Sequence, residues 1–426
     1  LSTPPPPPGL APERFIPLRR SDVVALCEDR LQDVLSADER AVFSRCAQLL
    51  SALYHHDFHA RLERLKALYA PFNPDLDPRM VPVLGEQGRD ARHKDLTAEL
   101  EAVLEAANFA RIDEQDLHEA LDEESLFRIR LHVDFDDFAH VLFYRRGESW
   151  RRETLTSLFG LRRRTLTFRN YDRVVVFVTF KPPEHFAAQD RDDLPFEPGA
   201  TLVKMFRNVP RADLEMLFPN TEVRMKTTDK LVLGVPAAVS GVVLLTTKLG
   251  PTLVLVAALL SFWLGLRDEA VVIDQQALLV LGAGLGAIGG FLFQQLSKFN
   301  NRKMRFMKAL GDSLYFRNLD NNAGVFHRLI DAAEEEECKE ALLAWAELLA
   351  AGESGLDPAA LDASVERGLQ SRLGERVDFE VDDALDKLRE LGLVTEGPGG
   401  LVAVAPAEAL RRLDERWDGL YSSAAP

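Results

Sequence analysis

Apolar residues recur at helical spacing through the first 120 positions, alternate with polar ones over the next hundred, and then run almost unbroken across 231–297. Each pattern predicts a different element. Ser21-Asp22 can cap a helix whose inward positions are Val23, Leu26, Cys27, Leu31, Val34 and Leu35. A second helix is expected over 37–69, stopped by Pro71, Pro74 and Pro78. Shorter amphipathic helices are read at 97–107 and 113–121. Alternation then marks strands at 127–133, 140–144, 163–168, 173–180 and 202–206, which suggests an antiparallel sheet.

The central block splits into three apolar stretches, 231–247, 251–266 and 277–297. A bilayer core takes roughly 20 apolar residues per helix, so the block reads as membrane-spanning. Positive residues flank it on both outer sides: Arg224, Lys226 and Lys230 before, and Lys298, Arg302, Lys303, Arg305 and Lys308 after. This juxtamembrane basic pattern places both soluble portions on the cytoplasmic side. It therefore demands an even number of spans, against three stretches. Two full spans with one interfacial or re-entrant stretch reconcile the two. Gly282, Gly286 and Gly290 fall on one face of the last span and offer a helix-packing interface, within the hairpin or between subunits of a homo-oligomer.

Beyond the block, a helix to about 316, the turn Leu319-Asp-Asn-Asn-Ala-Gly324 and a helix over 325–350 form a hairpin. The last 70 residues read helix (363–373), extended segment (377–379), helix (381–391) and two short strands (392–394 and 401–404). That is the order of a winged helix. A terminal helix is expected over 407–421.

The expected class is thus an α+β multidomain integral membrane protein. A Pro-rich leader (1–13) precedes a helical region (14–122) and an antiparallel-sheet domain (123–222). The transmembrane block (229–297), a helical hairpin (298–350) and a winged-helix-like acidic domain (357–424) complete it. A bacterial inner membrane is the expected location, with an organellar inner membrane as the alternative. Three cysteines (Cys27, Cys46, Cys338) at no metal spacing fit a reducing compartment.

Charge sharpens the picture in two places. From 331 to the end, 23 acidic and 9 basic residues give a net of −14, of a total of −16. An acidic recognition helix (Asp382, Asp383, Asp386, Glu390) disfavours nucleic acid and suits a protein partner. From 145 to 173 the net is +6, carried by nine arginines. Arg151, Arg152, Arg162, Arg163 and Arg164 are the candidate contacts to anionic membrane lipids. Arginines paired with acidic segments of the same chain are the competing account.

Candidate chemistry is sparse. His55 and His59 stand at i, i+4 and could hold a metal only with a third ligand from elsewhere. Asp134, Asp136, Asp137 and His140 read as a solvated acidic loop, and 334–337 as a solvated helix face. Neither a phosphate-cradling glycine loop nor a nucleophile motif occurs, so no catalytic, cofactor or metal residue is assigned.

Several strings are specific: Phe15-Ile-Pro-Leu-Arg-Arg20, Leu65-Lys-Ala-Leu-Tyr-Ala-Pro-Phe72, Tyr171-Asp-Arg-Val-Val-Val176 and Ala212-Asp-Leu-Glu-Met-Leu-Phe-Pro219. With Asp229-Lys230, Leu319-Asp-Asn-Asn-Ala-Gly324 and Leu413-Asp-Glu-Arg-Trp417, they resemble the transmembrane protein 143-like family. The resemblance implies a membrane protein with two spans near the middle. It implies no activity, so no site residue is carried over. The expected function is a non-enzymatic membrane-anchored protein that docks a partner or an anionic membrane surface. The alternative is a lipid-handling or small-solute protein whose oligomerised spans form a pathway or headgroup pocket.

Overall fold

Local signals open the chain. In the computed structural model, which describes residues 9–81, 85–122, 130–157, 162–191, 194–224, 250–264 and 275–421, α1 (Arg20–Leu31) begins where Asp22 accepts from the Arg19 backbone. Helix α2 (Ala37–Tyr69) begins with a reciprocal Ser36–Glu39 box and ends at Pro71. Helix α3 (Glu86–Ala106) starts eleven residues earlier than the apolar pattern suggests. Then come β1 (Ala110–Ile112), α4 (Glu114–Asp122), β2 (Arg130–His132), β3 (Phe138–Ser157), β4 (Arg162–Phe180), the single-turn α5 (Pro183–Ala187), β5 (Thr201–Pro210) and β6 (Glu222–Arg224). Helices α6 (Gly250–Trp263) and α7 (Gln275–Arg317), strand β7 (Asn318–Asn321) and α8 (Ala323–Ala351) follow. The chain closes with α9 (Pro358–Leu373), α10 (Val381–Glu390), β8 (Val394–Gly397), β9 (Gly400–Ala403) and α11 (Pro406–Gly419).

Contacts divide the chain into two units. One comprises Leu1–Glu123, Phe135–Leu214 and Arg317–Pro426. Its antiparallel sheet has the order β1-β3-β4-β5-β7. The long helices α2 and α8 each serve two cores. At one end they pack with α1, α9, α10 and α11 around Phe43, Leu342 and Trp345. At the other they join α3 against the sheet, around Tyr69, Leu100, Phe177 and Phe326. In the winged-helix order, α9 and α10 are followed by the β8–β9 wing, and Val377 between the helices bridges in parallel to Glu13.

The turn before α8 is more than a turn. Residues 318–321 add an edge strand, and Asn322 takes a left-handed φ of 50°. Its side chain accepts from the Val203 amide and the Tyr69 hydroxyl and donates to Asp75. The sequence Asn-Asn-Ala-Gly thus ties α2, the sheet and α8 together at one residue.

The second unit comprises Glu124–Asp134 and Glu215–Phe316. It holds the β2–β6 pair, α6 and nearly all of α7. Here the membrane expectation is overturned: among the described residues no helix is long and apolar enough to cross a membrane. Helix α6 has 14 residues, about 21 Å at 1.5 Å each, against a hydrocarbon core of about 30 Å. The apolar stretch of α7, 277–293, has 17 residues of which five are glycine, and glutamine pairs bound it on both sides. The expected integral-membrane class, its transmembrane spans and the inner-membrane location are corrected accordingly. Residues 231–247, the first of the three expected stretches, lie outside the described residues.

Gly282, Gly286 and Gly290 lie on α7, and a Cβ on any of them would meet nothing within 4 Å. No neighbouring backbone in the described chain uses the stripe. Lys308 is exposed on the same helix, while the side chains of Lys298, Arg302, Lys303 and Arg305 lie outside the described residues.

The strand reading also changes. The segments expected at 140–144, 163–168 and 173–180 belong to two continuous strands of 20 and 19 residues. Gly147, at φ +74°, turns the backbone beside Asp172, whose side chain leaves no room for a Cβ. Pairing resumes at Glu148↔Tyr171.

Candidate functional site

The nine arginines of 145–173 separate into two groups once the register is known. Near the sheet they are engaged. Arg145 pairs with Glu13 at 2.8 Å and lies over the Tyr171 ring. Arg146 is held between the Phe15 and Phe109 rings, 4.3 and 4.8 Å from their centroids, and donates to the Ala107 carbonyl. Burial presses its guanidinium below the usual arginine range. Arg169 stacks on Trp150 and reaches Glu148.

Farther out the arrangement differs. Strand β5 pairs with β4 only from Asn170 onward, and β1 with β3 only at 143–145. From Trp150↔Arg169 to Ser157↔Arg162, β3 and β4 pair with each other alone among the described strands. These eight residue pairs form a two-stranded ribbon about 27 Å long. Arg162, Arg163 and Arg164 stand opposite Ser157, Thr156 and Leu155, and their side chains lie outside the described residues. Arg152 is exposed. Arg151 is half exposed and donates to Asn208 at 2.8 Å. Across 150–169 there are six arginines and one acid, Glu153. The 145–173 stretch is therefore divided between structural arginines and a projecting basic ribbon, which brings together all five residues singled out from the sequence.

At the opposite end of the sheet is a cleft of about 1110 Å³. Helix α3 lines it with Arg89, His93, Thr97 and Glu101, one residue per turn. His140 of β3, Thr179 of β4 and Thr201 of β5 lie in register across three strands. His93 rests on this row. Its ring stacks on His140 at 4.6 Å, meets Phe72 edge-on and bonds Thr179 Oγ1 through Nε2 at 2.8 Å. The Thr179 and Thr201 hydroxyls are 3.0 Å apart. Burial, helped by His140, pushes the His93 imidazole down to about 4, so it is neutral at pH 7.

His140 is exposed as expected but lies on β3 and not in a loop, whereas Asp137 departs from the solvated-loop expectation altogether. That carboxylate is 1 % exposed and meets Arg191 at 2.5 Å. Asp136 instead is exposed and pairs with Lys181. His93 went unremarked in the sequence, although the i, i+4 stripe from Arg89 to Glu101 was there to be read.

The glutamate run of α8 is likewise not a solvated face. Glu336 is 1 % exposed and accepts from Lys339, itself 1 % exposed, at 2.6 Å. Lys339 also donates to the carbonyls of Ile16 and Leu18. Glu340 accepts from Asn108 and from Lys387 of α10, which also meets Glu337. Burial pushes the Glu340 carboxyl up to about 7, and the surrounding acids hold Lys387 above its usual range. Every member has its partners, so this network is a packing device.

His55 bonds Glu334 at 2.9 Å. Among the described residues no group of three His, Cys, Asp or Glu could hold a metal ion. The acids of α10 stay on its surface in part: Asp386 is exposed beside Arg389, and Asp383 reaches Lys387.

Residues 171–324 match the model of a family described as a protein of unknown function, DUF3754. The match covers somewhat over a third of the chain, from the inner half of β4 to the start of α8. No solved structure matches the chain.

Proposed function

We propose that the chain is a non-enzymatic docking protein that engages an anionic lipid surface peripherally through the outer β3–β4 ribbon. The observation that carries this reading is the length of the ribbon past its neighbours: eight residue pairs with arginines on both strands and a single acid. Each Arg or Lys close to an anionic leaflet contributes about 1 kcal/mol, so four or five of them at the surface outweigh the leaflet's repulsion of the more distant, net-acidic remainder of the chain, which falls off within a Debye length. The uncharged Leu158-Phe-Gly-Leu161 that joins the strands in the sequence suits the same surface. Trp150 at the base is a residue type that favours the headgroup level.

The test is flotation of the full chain with vesicles of phosphatidylcholine containing about a third phosphatidylserine. Binding is expected, and Arg162→Glu, Arg163→Glu and Arg164→Glu together should weaken it by roughly a hundredfold or more. Raising the salt to about 1 M, where the screening length is about 3 Å, should release the protein. Unchanged binding by the triple variant would sink the reading. So would retention of a random-sequence duplex in place of vesicles, since a basic ribbon also fits a major groove.

A further inference from the structure

The cleft between α3 and the far end of the sheet has no part in surface docking. His140 and Arg151 are eleven residues apart on β3, about 36 Å along an extended strand. A molecule in the cleft reaches it from solution whether or not the ribbon is docked.

Its walls are built to keep their shape. Pro182, Pro183 and Pro198 line one side, and Arg89 closes over that side by donating to the Gly199 carbonyl at 3.3 Å. The opposite wall is α3, packed on the sheet through Leu96 and Leu100. Such a site is largely pre-formed, so little ordering is needed on binding.

The polar groups facing the cleft are unevenly spoken for. Glu101 already accepts from Tyr144 and Arg111. Thr97 donates back to the His93 carbonyl. Arg89 lies over Phe72 and uses one amino group on Gly199, which leaves the rest of its fork open. Lys94 and His140 have no hydrogen bond or ion pair within the described residues. Asp90 and Glu184 are the acids left on the rim, so the open charges nearly balance. That balance favours a ligand with one or two negative charges over a polyanion. His93, neutral and fixed by Thr179, adds a hydrogen-bonding edge without charge.

We infer that this cleft binds a small soluble phosphate monoester, with Lys94, Arg89 and His140 around the phosphate. The inference stands apart from the docking proposal, because it uses none of the ribbon's residues.

Titration calorimetry of the full chain with glycerol 3-phosphate and with inorganic phosphate tests it. Saturable binding is expected, tighter for the ester, and Lys94→Ala or His140→Ala should each weaken it about tenfold, the loss of one charge-assisted hydrogen bond. Both side chains are exposed, so neither change threatens the fold. The Arg162–Arg164 triple variant should bind the ester as the parent does, and Lys94→Ala should still float with anionic vesicles. No saturable binding of either probe up to about ten millimolar would overturn the inference. Binding indifferent to both cleft substitutions, or lost with the ribbon triple, would overturn it too.

Discussion

Helix α8 and the outer β3–β4 ribbon both carry dense charge, and the fold treats them in opposite ways. On α8, Glu336, Glu337, Lys339 and Glu340 are drawn inward and matched by Asn108, Lys387 and two backbone carbonyls near the N-terminus. On the ribbon, five arginines besides Arg169, which Trp150 and Glu148 hold, meet one glutamate and extend past every described strand that could flank them. The first arrangement specifies which segments pack together. In the docking proposal, the second leaves charge for a lipid surface outside the chain. A charge run has no fixed meaning of its own; the elements delivered beside it decide.

The largest expected effect lies in the buried network. Lys339→Met removes the cation from beside Glu336, and an uncompensated buried carboxylate costs about 3–5 kcal/mol. Urea denaturation should show that loss, or no folded protein. The double change Lys339→Met with Glu336→Gln should recover most of it, because the charge leaves along with its partner. If the single variant is as stable as the parent, α8 is no better packed than the ribbon and the contrast collapses.

Next comes Asn322, which ties both halves of the α2–α8 frame to the sheet. Asn322→Ala loses bonds to Val203, Tyr69 and Asp75 and places a Cβ-bearing residue without local polar support at φ 50°. A cost of about 2–3 kcal/mol is expected. Asn322→Gly relieves the backbone but not the lost bonds, so it should fall between parent and Ala in a denaturation series.

The pH dependence of stability separates two buried groups that pull in opposite directions. Glu340 has a raised folded value, about 7, so its contribution is complete below about 4.5, the unfolded value, and fades as the pH rises through 7. His93 has a depressed folded value, about 4. Its contribution is complete above about 6.5 and fades as the pH falls through 4. The two slopes, each at most about 1.4 kcal/mol per pH unit, largely cancel between pH 5 and 6.5. Glu340→Gln should therefore unmask a profile that rises with pH in that window. Substituting His93 by Phe should unmask one that falls. A profile unmoved by either change would mean that neither burial matters to folding.

What the sequence made legible follows the range of the interactions. Helix α2 runs over the expected bounds, 37–69, since the Ser36 cap seen in the structure and the prolines from Pro71 onward act within a few residues. The eight positions that open α3, Glu86 to His93, are polar apart from Gly88 and Ala91 and carry no apolar stripe, so about two turns of helix and the His93 side of the cleft stayed hidden. Gly147 and the residues from there to Ser157 carry no strand pattern, and only the cross-strand register joins them to the strand expected at 163–168 in one ribbon. The burial of Glu336 and Lys339 was unreadable for a plainer reason: the Ile16 backbone that receives them lies more than 300 residues away. In the central block the apolar pattern pointed to a bilayer. It records composition, whereas a span needs continuous apolar length, and among the described residues no helix is long and apolar enough to supply it.

The smallest expected effect is the most discriminating one. Changing Arg162, Arg163 and Arg164 to Glu alters the chain's charge by six units, more than any other substitution considered. If the ribbon's arginines serve no internal contact, the midpoint of urea denaturation should nonetheless shift by no more than about 0.5 kcal/mol, and slightly upward at high salt, where repulsion is screened. A loss above about 1 kcal/mol would show that these arginines are held by acids of the same chain, as Arg145 is by Glu13. The ribbon would then be a strut, and the contrast with α8 would become a difference of exposure instead of purpose. Near-zero cost to the fold together with a large loss of vesicle binding is the pairing that only a docking element produces, because residues selected to hold a fold rarely leave it indifferent to their reversal.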